Sequence, residues 1–544
     1  MADETAVDPD SPAGVGEGLF LRQATGLVRE LSLANTVLLA IAYISFPLGY
    51  VFLTQIGTDF PGANVILVFV LTMGIGTLVP LVYGMMAAAM PRSGGDYVFI
   101  SRNIHPMLGY VANSAITLSY ITGASFVALF VPLFALPAMF QALFISTGHH
   151  FWLSWSTSVA GKAGQLLIGG GIVVLVGIFA MLRPRLLMRV FGGLMALTLL
   201  GLVVTIVALL FVDQTHFDHR FAADYLVTVS KIEATARHGG LVTGFSLLAT
   251  FGAITLVQNV VGASNVATYW AGEVRRAPRA MVPAVLTGLW VSSLAFIVVA
   301  LLLGHAFGWN FLNSANFTSL NAASTWPSHA SPFLNLYVSV ASASPVLAVV
   351  LGITFVAAVL AYPVPTYLIA TRNIFAHAFD RVLPGWVGSV DNRTHAPVNA
   401  TLVILAIMLL YLFGYVFGWG GFTSFIAVTI LVNCCVYFLT AVSAIIFPYR
   451  HPELYRTAPF ATRKVFGLPI LVAVAIPTVL YTLGLIYILT LSKWAKGLGT
   501  LNSVGFKAVI VILILLSLIW LVSWGRSRRR GFDLNLVQRV LPPE

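Results

Sequence analysis

Two places in the chain interrupt long apolar runs with residues that free main-chain hydrogen-bonding groups. The first reads LLAIAYISFPLGYVFLTQ, with Ser45, Phe46, Pro47, Leu48 and Gly49 at its centre. Pro47 has no amide N–H, and its ring collides with the carbonyl four residues back, so a regular helix is broken or kinked there. The second reads LLATFGAITLVQNVVGASNVATYWAGEV and carries Gln258, Asn259, Gly262, Ala263, Ser264 and Asn265. Free carbonyls and amides inside an apolar run must meet protein, water or a ligand, since lipid offers no partner. The chemistry on offer is recognition. N–H groups at a helix N-terminus suit an anion, and free carbonyls at a helix C-terminus suit a cation. A zwitterion can be held between them without charged side chains, with Asn259, Ser264 and Asn265 adding hydrogen bonds.

Catalytic chemistry has no comparable footing. No Asp, Glu, Lys or Arg falls in the middle of a long apolar run; Asp96 and Glu273 sit at run ends. An intramembrane enzyme needs a nucleophile with its base, paired carboxylates or a metal-ligand set. No catalytic residue, metal site or cofactor is therefore expected. Gly169–Gly171 lacks the Lys-Ser/Thr of a phosphate loop and reads as small residues for helix packing. Cys434 and Cys435 read as small buried hydrophobes, and His305 and His377, at run ends, as solvated or structural.

The elements that must position the two breaks are long helices. Twelve apolar runs lie near 32–56, 63–90, 108–140, 165–182, 187–212, 241–271, 281–306, 344–376, 398–418, 422–448, 467–491 and 507–524. Crossing a hydrocarbon core takes about 20 such residues. The chain is 59% hydrophobic and only 9% charged, against about 25% charged in soluble domains. That excludes a soluble enzyme, a coiled coil, a disordered chain and a nucleic-acid binder. The expectation is an all-α polytopic membrane protein with twelve transmembrane helices.

The net charge of +11 is a topology signal. With twelve spans, Lys162, Arg220, Lys231, Arg237, Lys493, Lys496 and Lys507 fall on one side, and all the other Lys and Arg fall on the side of the termini. The positive-inside rule then puts both termini in the cytoplasm of a multi-pass protein of the plasma membrane, with its basic loops facing anionic lipid. Residues 1–18 read as a disordered acidic tail, 30–525 as the twelve-helix domain and 526–544 as a basic cytoplasmic tail.

The breaks fall in the first and sixth runs, which cross in opposite directions. Either alone reads as a packing kink. Two at matching positions point to a five-plus-five inverted repeat with a site at the midplane. Repeat one covers about 32–212, repeat two about 241–448, and peripheral helices about 467–524.

Three loops carry a family resemblance. AAAMPRSGGDYVFISRNIHPMLGY at 87–110 resembles the P-x-[SA]-G-G-x-Y segment of the amino acid–polyamine–organocation (APC) permease superfamily. YWAGEVRRAPRAMVPA at 269–284 resembles its A-G-E-[VI]-[KR] segment, and ATRNIFAHAFDRVLPGWVGSVDNRTHAPVNA at 370–400 its loop after helix eight. All three lie on the cytoplasmic side of the charge sorting. The resemblance implies the LeuT-type fold, with substrate between the breaks of helices one and six against helices three, eight and ten. It implies an amino acid or related amine as substrate, moved by alternating access.

On this resemblance the unwound segment of helix six is Gly262–Asn265, and the family's G-S-G in helix one is Pro47-Leu48-Gly49. Proline removes one amide that usually meets the carboxylate, and Leu48 brings no hydroxyl. The outer half of helix one, starting near Leu48–Gly49, is expected to present its N–H groups to a carboxylate. Gly262 is expected to border the cavity, so that Gly262→Leu blocks it. A cation-coupling site would use Thr354; helix five has no Lys, and proton symport, sodium symport and exchange all fit. Arg275, Arg276 and Arg279 beside Glu273 read either as an anchor for the end of helix six or as topogenic charge. The uncharged stretch 307–341 is expected to form short helices as a lid. The alternative function is a transporter-like channel or sensor of small solutes.

Overall fold

The computed structural model describes residues 31–182, 184–242, 244–389, 391, 396–419, 422–495, 500–501 and 503–529. The tail expected at 1–18 lies outside the described residues; of the tail expected at 526–544, residues 526–529 continue the last helix and the rest lie outside the described residues. Twelve helices among the described residues are long and apolar enough to cross a membrane. They are α1 (Leu33–Asp59), α2 (Val65–Ala89), α3 (Pro106–Thr147), α4 (Lys162–Ala180), α5 (Arg185–Leu210) and α6 (Leu247–Glu273). They continue as α7 (Ala277–Phe307), α8 (Pro345–Phe379), α9 (Val398–Val416), α10 (Ala427–Arg450), α11 (Ile470–Thr490) and α12 (Val504–Arg529). Each matches one apolar run of the sequence.

Local chemistry sets many of the ends. Ser32 accepts from the Asn35 amide, Asn64 from Leu67, Ser246 from Ala249 and Ser344 from Leu347, each satisfying an orphan N–H of a first turn. Pro106 and Pro345 open α3 and α8, where a missing N–H costs nothing. Between α10 and α11 a two-residue antiparallel hairpin, β1 (Lys464–Val465) and β2 (Leu468–Pro469), turns the chain.

Burial sorts the helices into centre and periphery. In α1 and α6, 78% of the apolar window is buried, against 17% in α12. α5 exposes Leu200, Val203 and Val207, and α12 exposes Ile514, Leu515 and Leu518. Such apolar faces belong against lipid rather than water. At the centre α1 packs on α6, α7 and α8, while α3 packs on α8, α9 and α10. Residue Leu31 pins the start of α1 to the end of α6: its N–H donates to Glu273 O at 3.0 Å, and Arg275 N–H donates to its carbonyl at 2.9 Å.

The stretch 307–341 does form short helices, Trp309–Asn321, Ala323–Thr325 and Leu334–Ser342. The first packs on the C-terminal half of α1, where Asn316 Nδ2 donates to Thr58 Oγ1 at 3.1 Å. Between α2 and α3 lies a short buried helix, Asp96–Asn103, packed on α3 and α10.

Candidate functional site

The first run breaks at Ser45. Its backbone takes φ 59° and ψ 91°, ending the half Leu33–Ile44 and starting the half Phe46–Asp59. Pro47 explains the place. It leaves the Tyr43 carbonyl without its four-residue N–H partner and sits comfortably in the first turn of the new helix. The break therefore falls two residues earlier than the expected Pro47-Leu48-Gly49.

That shift changes which amides are free. Leu48 N–H donates to Ser45 Oγ at 3.3 Å and Gly49 N–H to Ser45 O at 3.0 Å. Pro47 has none to offer. Among the described residues of this first turn, Phe46 alone keeps a main-chain N–H without a partner. The expected donors at Leu48 and Gly49 are thus already spent. Gly49 is needed for another reason: a Cβ there would run into the Phe296 ring of α7.

α6 changes winding where the sequence places its break. Leu247–Val260 is α-helical, and Val261–Glu273 continues as a 3-10 helix ending beyond a kink at Trp270. The segment Gly262–Asn265 is therefore tightened rather than unwound. Changing from four-back to three-back bonding still leaves a carbonyl over at the junction.

The α6 side chains point to different neighbours. Asn259 donates to Thr255 O at 2.9 Å and accepts from Asn433 Nδ2 of α10 at 3.0 Å. Gly262 faces Gln258, whose Nε2 an added Cβ would strike, and Tyr481 of α11 donates to Gln258 Oε1 at 2.7 Å. Gly262 therefore abuts a buried glutamine rather than open space. Ser264 lies beside Gly288 of α7, which also touches Ala40 of α1. Ala263 is buried at 2% exposure. Asn265 is fully buried, and neither its Oδ1 nor its Nδ2 has a partner; the Ser264 hydroxyl has none either.

Below the α1 break lies a cage of tyrosines. Tyr43 makes an edge contact with Tyr120 of α3, centroids 5.2 Å apart, and stacks on Tyr362 of α8 at 5.1 Å. The Tyr120 and Tyr269 hydroxyls are 3.4 Å apart. Tyr83 of α2 meets Tyr437 of α10 edge-on at 5.8 Å and accepts from Thr440 Oγ1 at 3.1 Å. Asn265 and Tyr437 both border Tyr83, and the Tyr437 hydroxyl also has no partner. Above the break, Phe46 packs on Phe296 at 5.4 Å and closes the other side.

These tyrosines were missed in the sequence. A signal was present at Tyr362, which precedes Pro363 and Pro365 and marks a junction in α8 between Pro345–Ala361 and Pro363–Phe379. Tyr43, two residues before the break, was equally visible.

Thr354 lies apart from the cage. It lines a small cavity of about 20 Å³ between the C-terminal half of α1, α5 and α8, with Phe46, Pro47, Thr198, Thr205 and Asn335. Its hydroxyl donates to Val350 O and Leu351 O of its own helix.

At the other end of the cage lie two ion pairs, one half-buried and one buried. Glu273 receives a bidentate pair from Arg372 of α8, at 2.7 and 2.9 Å. The α6 end is thus clamped by Arg372, and the ion pair does not run to Arg275, Arg276 or Arg279, which are exposed. Asp380 accepts from Arg102 at 2.8 Å and from the Tyr97 hydroxyl at 2.6 Å. The His377 ring is buried between Tyr97 and Tyr110, a structural position. Cys434 is buried, as expected, and Cys435 half-buried, both as free thiols.

Among the described residues, twelve helices long enough to cross a membrane surround a break in α1, a change of winding in α6 and a set of unpartnered polar groups beside aromatic rings, an arrangement suited to holding a small solute. The match to protein families agrees: the amino acid permease model spans residues 46–534. The chain belongs to the amino acid permease family, within the APC superfamily, a family of transporters rather than enzymes. A comparison with curated proteins returned no match.

Proposed function

We propose that this permease is a secondary active transporter that moves an amino acid or a related amine by alternating access, with substrate held between the α1 break and Ala263–Asn265. The observation that carries this reading is the set of buried polar atoms without partners around the cage: both amide atoms of Asn265 and the hydroxyls of Ser264 and Tyr437. Each such atom costs about 1–3 kcal/mol when left unpaired, and a polar ligand accounts for them together. The carbonyls at the end of Leu33–Ile44 suit the ammonium group. The Phe46 N–H and the positive end of Phe46–Asp59 suit the carboxylate. The tyrosine rings supply faces for the cation and walls for the side chain.

Closure above by Phe46 and below by the cage favours a carrier over a channel, because a channel needs one continuous polar path. The basic loops are cytoplasmic, so the Glu273–Arg372 pair is an inner clamp and the short helices at 307–341 an outer cover. The test is counterflow of labelled amino acids and amines in proteoliposomes. Saturable exchange that Tyr43→Ala abolishes is the expected result. Failure of every amino acid and amine to exchange overturns the reading.

A further inference from the structure

One ionisable group near the cage has no charged partner in the geometry. Asp96 is fully buried, at 0% exposure. Its Oδ1 accepts from Asn113 Nδ2 of α3 at 2.7 Å, and its Oδ2 has no hydrogen-bond partner. The nearby Arg102, on the same short helix, is committed to Asp380. A purely structural carboxylate at this depth is normally paired, as Asp380 is.

The surroundings connect Asp96 to the cage. Gly94 N–H donates to Tyr269 O at 3.0 Å, and Gly95 lies against the Tyr269 ring, where a Cβ would meet it at 2.8 Å. The Tyr269 hydroxyl lies beside the Asp96 carboxylate, and its next neighbour is the Tyr120 hydroxyl at 3.4 Å. Tyr120 in turn touches Tyr43 beneath the α1 break. We propose that Asp96 is the proton-binding group of the transport cycle, linked to the substrate cage through the Tyr269 and Tyr120 hydroxyls.

This rests on the transport reading above and deepens it by naming the coupling ion. The step is a simple transfer. A proton from water lands on an Asp96 oxygen, and the carboxylate becomes a neutral acid. In this cycle an ionised Asp96 draws the neighbouring Tyr269 O–H toward its open Oδ2. A protonated Asp96 donates instead, so Tyr269 turns its own O–H toward Tyr120, and either direction fits the observed contact. Protonation thereby resets the hydroxyls facing the substrate. Release of the proton restores them.

The titratable groups facing Asp96 are Tyr83 from α2, Tyr120 from α3, Tyr269 from α6 and Tyr437 from α10. Beyond them on the same short helix lie Tyr97 and Arg102, with Asp380 and His377 alongside. Burial pushes the Asp96 carboxyl up to about 7, although Asn113, Tyr269 and main-chain N–H groups favour its ionised form. A group so placed changes charge near neutrality.

Two measurements on the full-length protein test this. Infrared difference spectra between acid and alkaline pH should show a protonated-carboxyl band with a midpoint near neutral, absent in Asp96→Asn. That variant keeps an acceptor for Asn113, and gel filtration checks its fold. A missing band, or one unchanged in Asp96→Asn, overturns the proposal. In proteoliposomes, an inside-alkaline gradient of one pH unit should drive roughly tenfold accumulation of labelled amino acid for one proton per substrate. Asp96→Asn should still exchange substrate but not accumulate it, Asp96→Glu should recover accumulation, and Tyr269→Phe should keep the band but accumulate less. Accumulation that persists in Asp96→Asn overturns the proposal. A wild type with the band but no exchange of any amino acid or amine sinks the substrate reading and upholds Asp96 as a proton site.

Discussion

Asn265 offers the cleanest separation of binding from folding. Both its amide atoms are buried and unpartnered, so Asn265→Ala removes an unfavourable burial from the empty protein. We expect thermal stability to hold or rise. Substrate affinity should fall by about 1–3 kcal/mol, or roughly 5- to 150-fold. Equal losses in both would mean that Asn265 is only a packing residue. Gly262→Leu, by contrast, tests the wrong thing. Its side chain displaces Gln258 from Tyr481, so unfolding would be read as a blocked cavity.

Asp96 makes a second residue-scale prediction, about pH. Its folded carboxyl is raised to about 7, above the unfolded value near 3.9. The folded state therefore holds the proton more tightly. The stabilising contribution is full below the unfolded value, is lost as pH rises to about 7, and stays lost above it. The swing is on the order of 4 kcal/mol. Asp96→Asn should flatten this limb of a thermal-stability profile in detergent; an unchanged slope would show that another group titrates.

At the scale of elements, one residue decides the path of α1. Pro47 enforces a break that holds Ser45, a non-glycine residue, at positive φ, a conformation costing of order 1–3 kcal/mol. Pro47→Ala supplies an N–H for the Tyr43 carbonyl and lets the two halves join. The expected outcome is a more stable protein by about 1–2 kcal/mol with exchange lost. Loss of stability instead would mean that tertiary contacts hold the break without the proline. At the far end of α6, Glu273→Gln removes half of a clamp to α8. Hydrogen exchange should rise at Leu31, Val274 and Arg275, whose main-chain bonds depend on that end staying docked.

At the scale of the whole molecule, sidedness is open to a direct check. Arg276 and Phe466 are exposed in loops of the basic side, and Leu226 is exposed between α5 and α6. Single cysteines at Arg276 and Phe466 should react only with reagent from inside, and one at Leu226 only from outside. The reverse pattern would invert the protein and turn the inner clamp into an outer one.

The twelve spans, the places where α1 breaks and α6 changes winding, and the one-sided charge bias were legible because each is a one-dimensional property. Hydrophobic length follows from bilayer thickness, a proline removes a main-chain hydrogen bond from the interior of its own helix, and charge bias needs only counting. The particular neighbours were not legible. Ser45, rather than Pro47-Leu48-Gly49, carries the break because the capping hydroxyl and Pro47 act together, which takes coordinates to see. Gly262 turned out to face Gln258, Glu273 found Arg372 some hundred residues away, and six tyrosines on six helices met in one cage. Those pairings depend on how helices rotate and cross when they pack. Rotation is set by side-chain interlocking across the whole bundle, so only the tertiary structure could decide them.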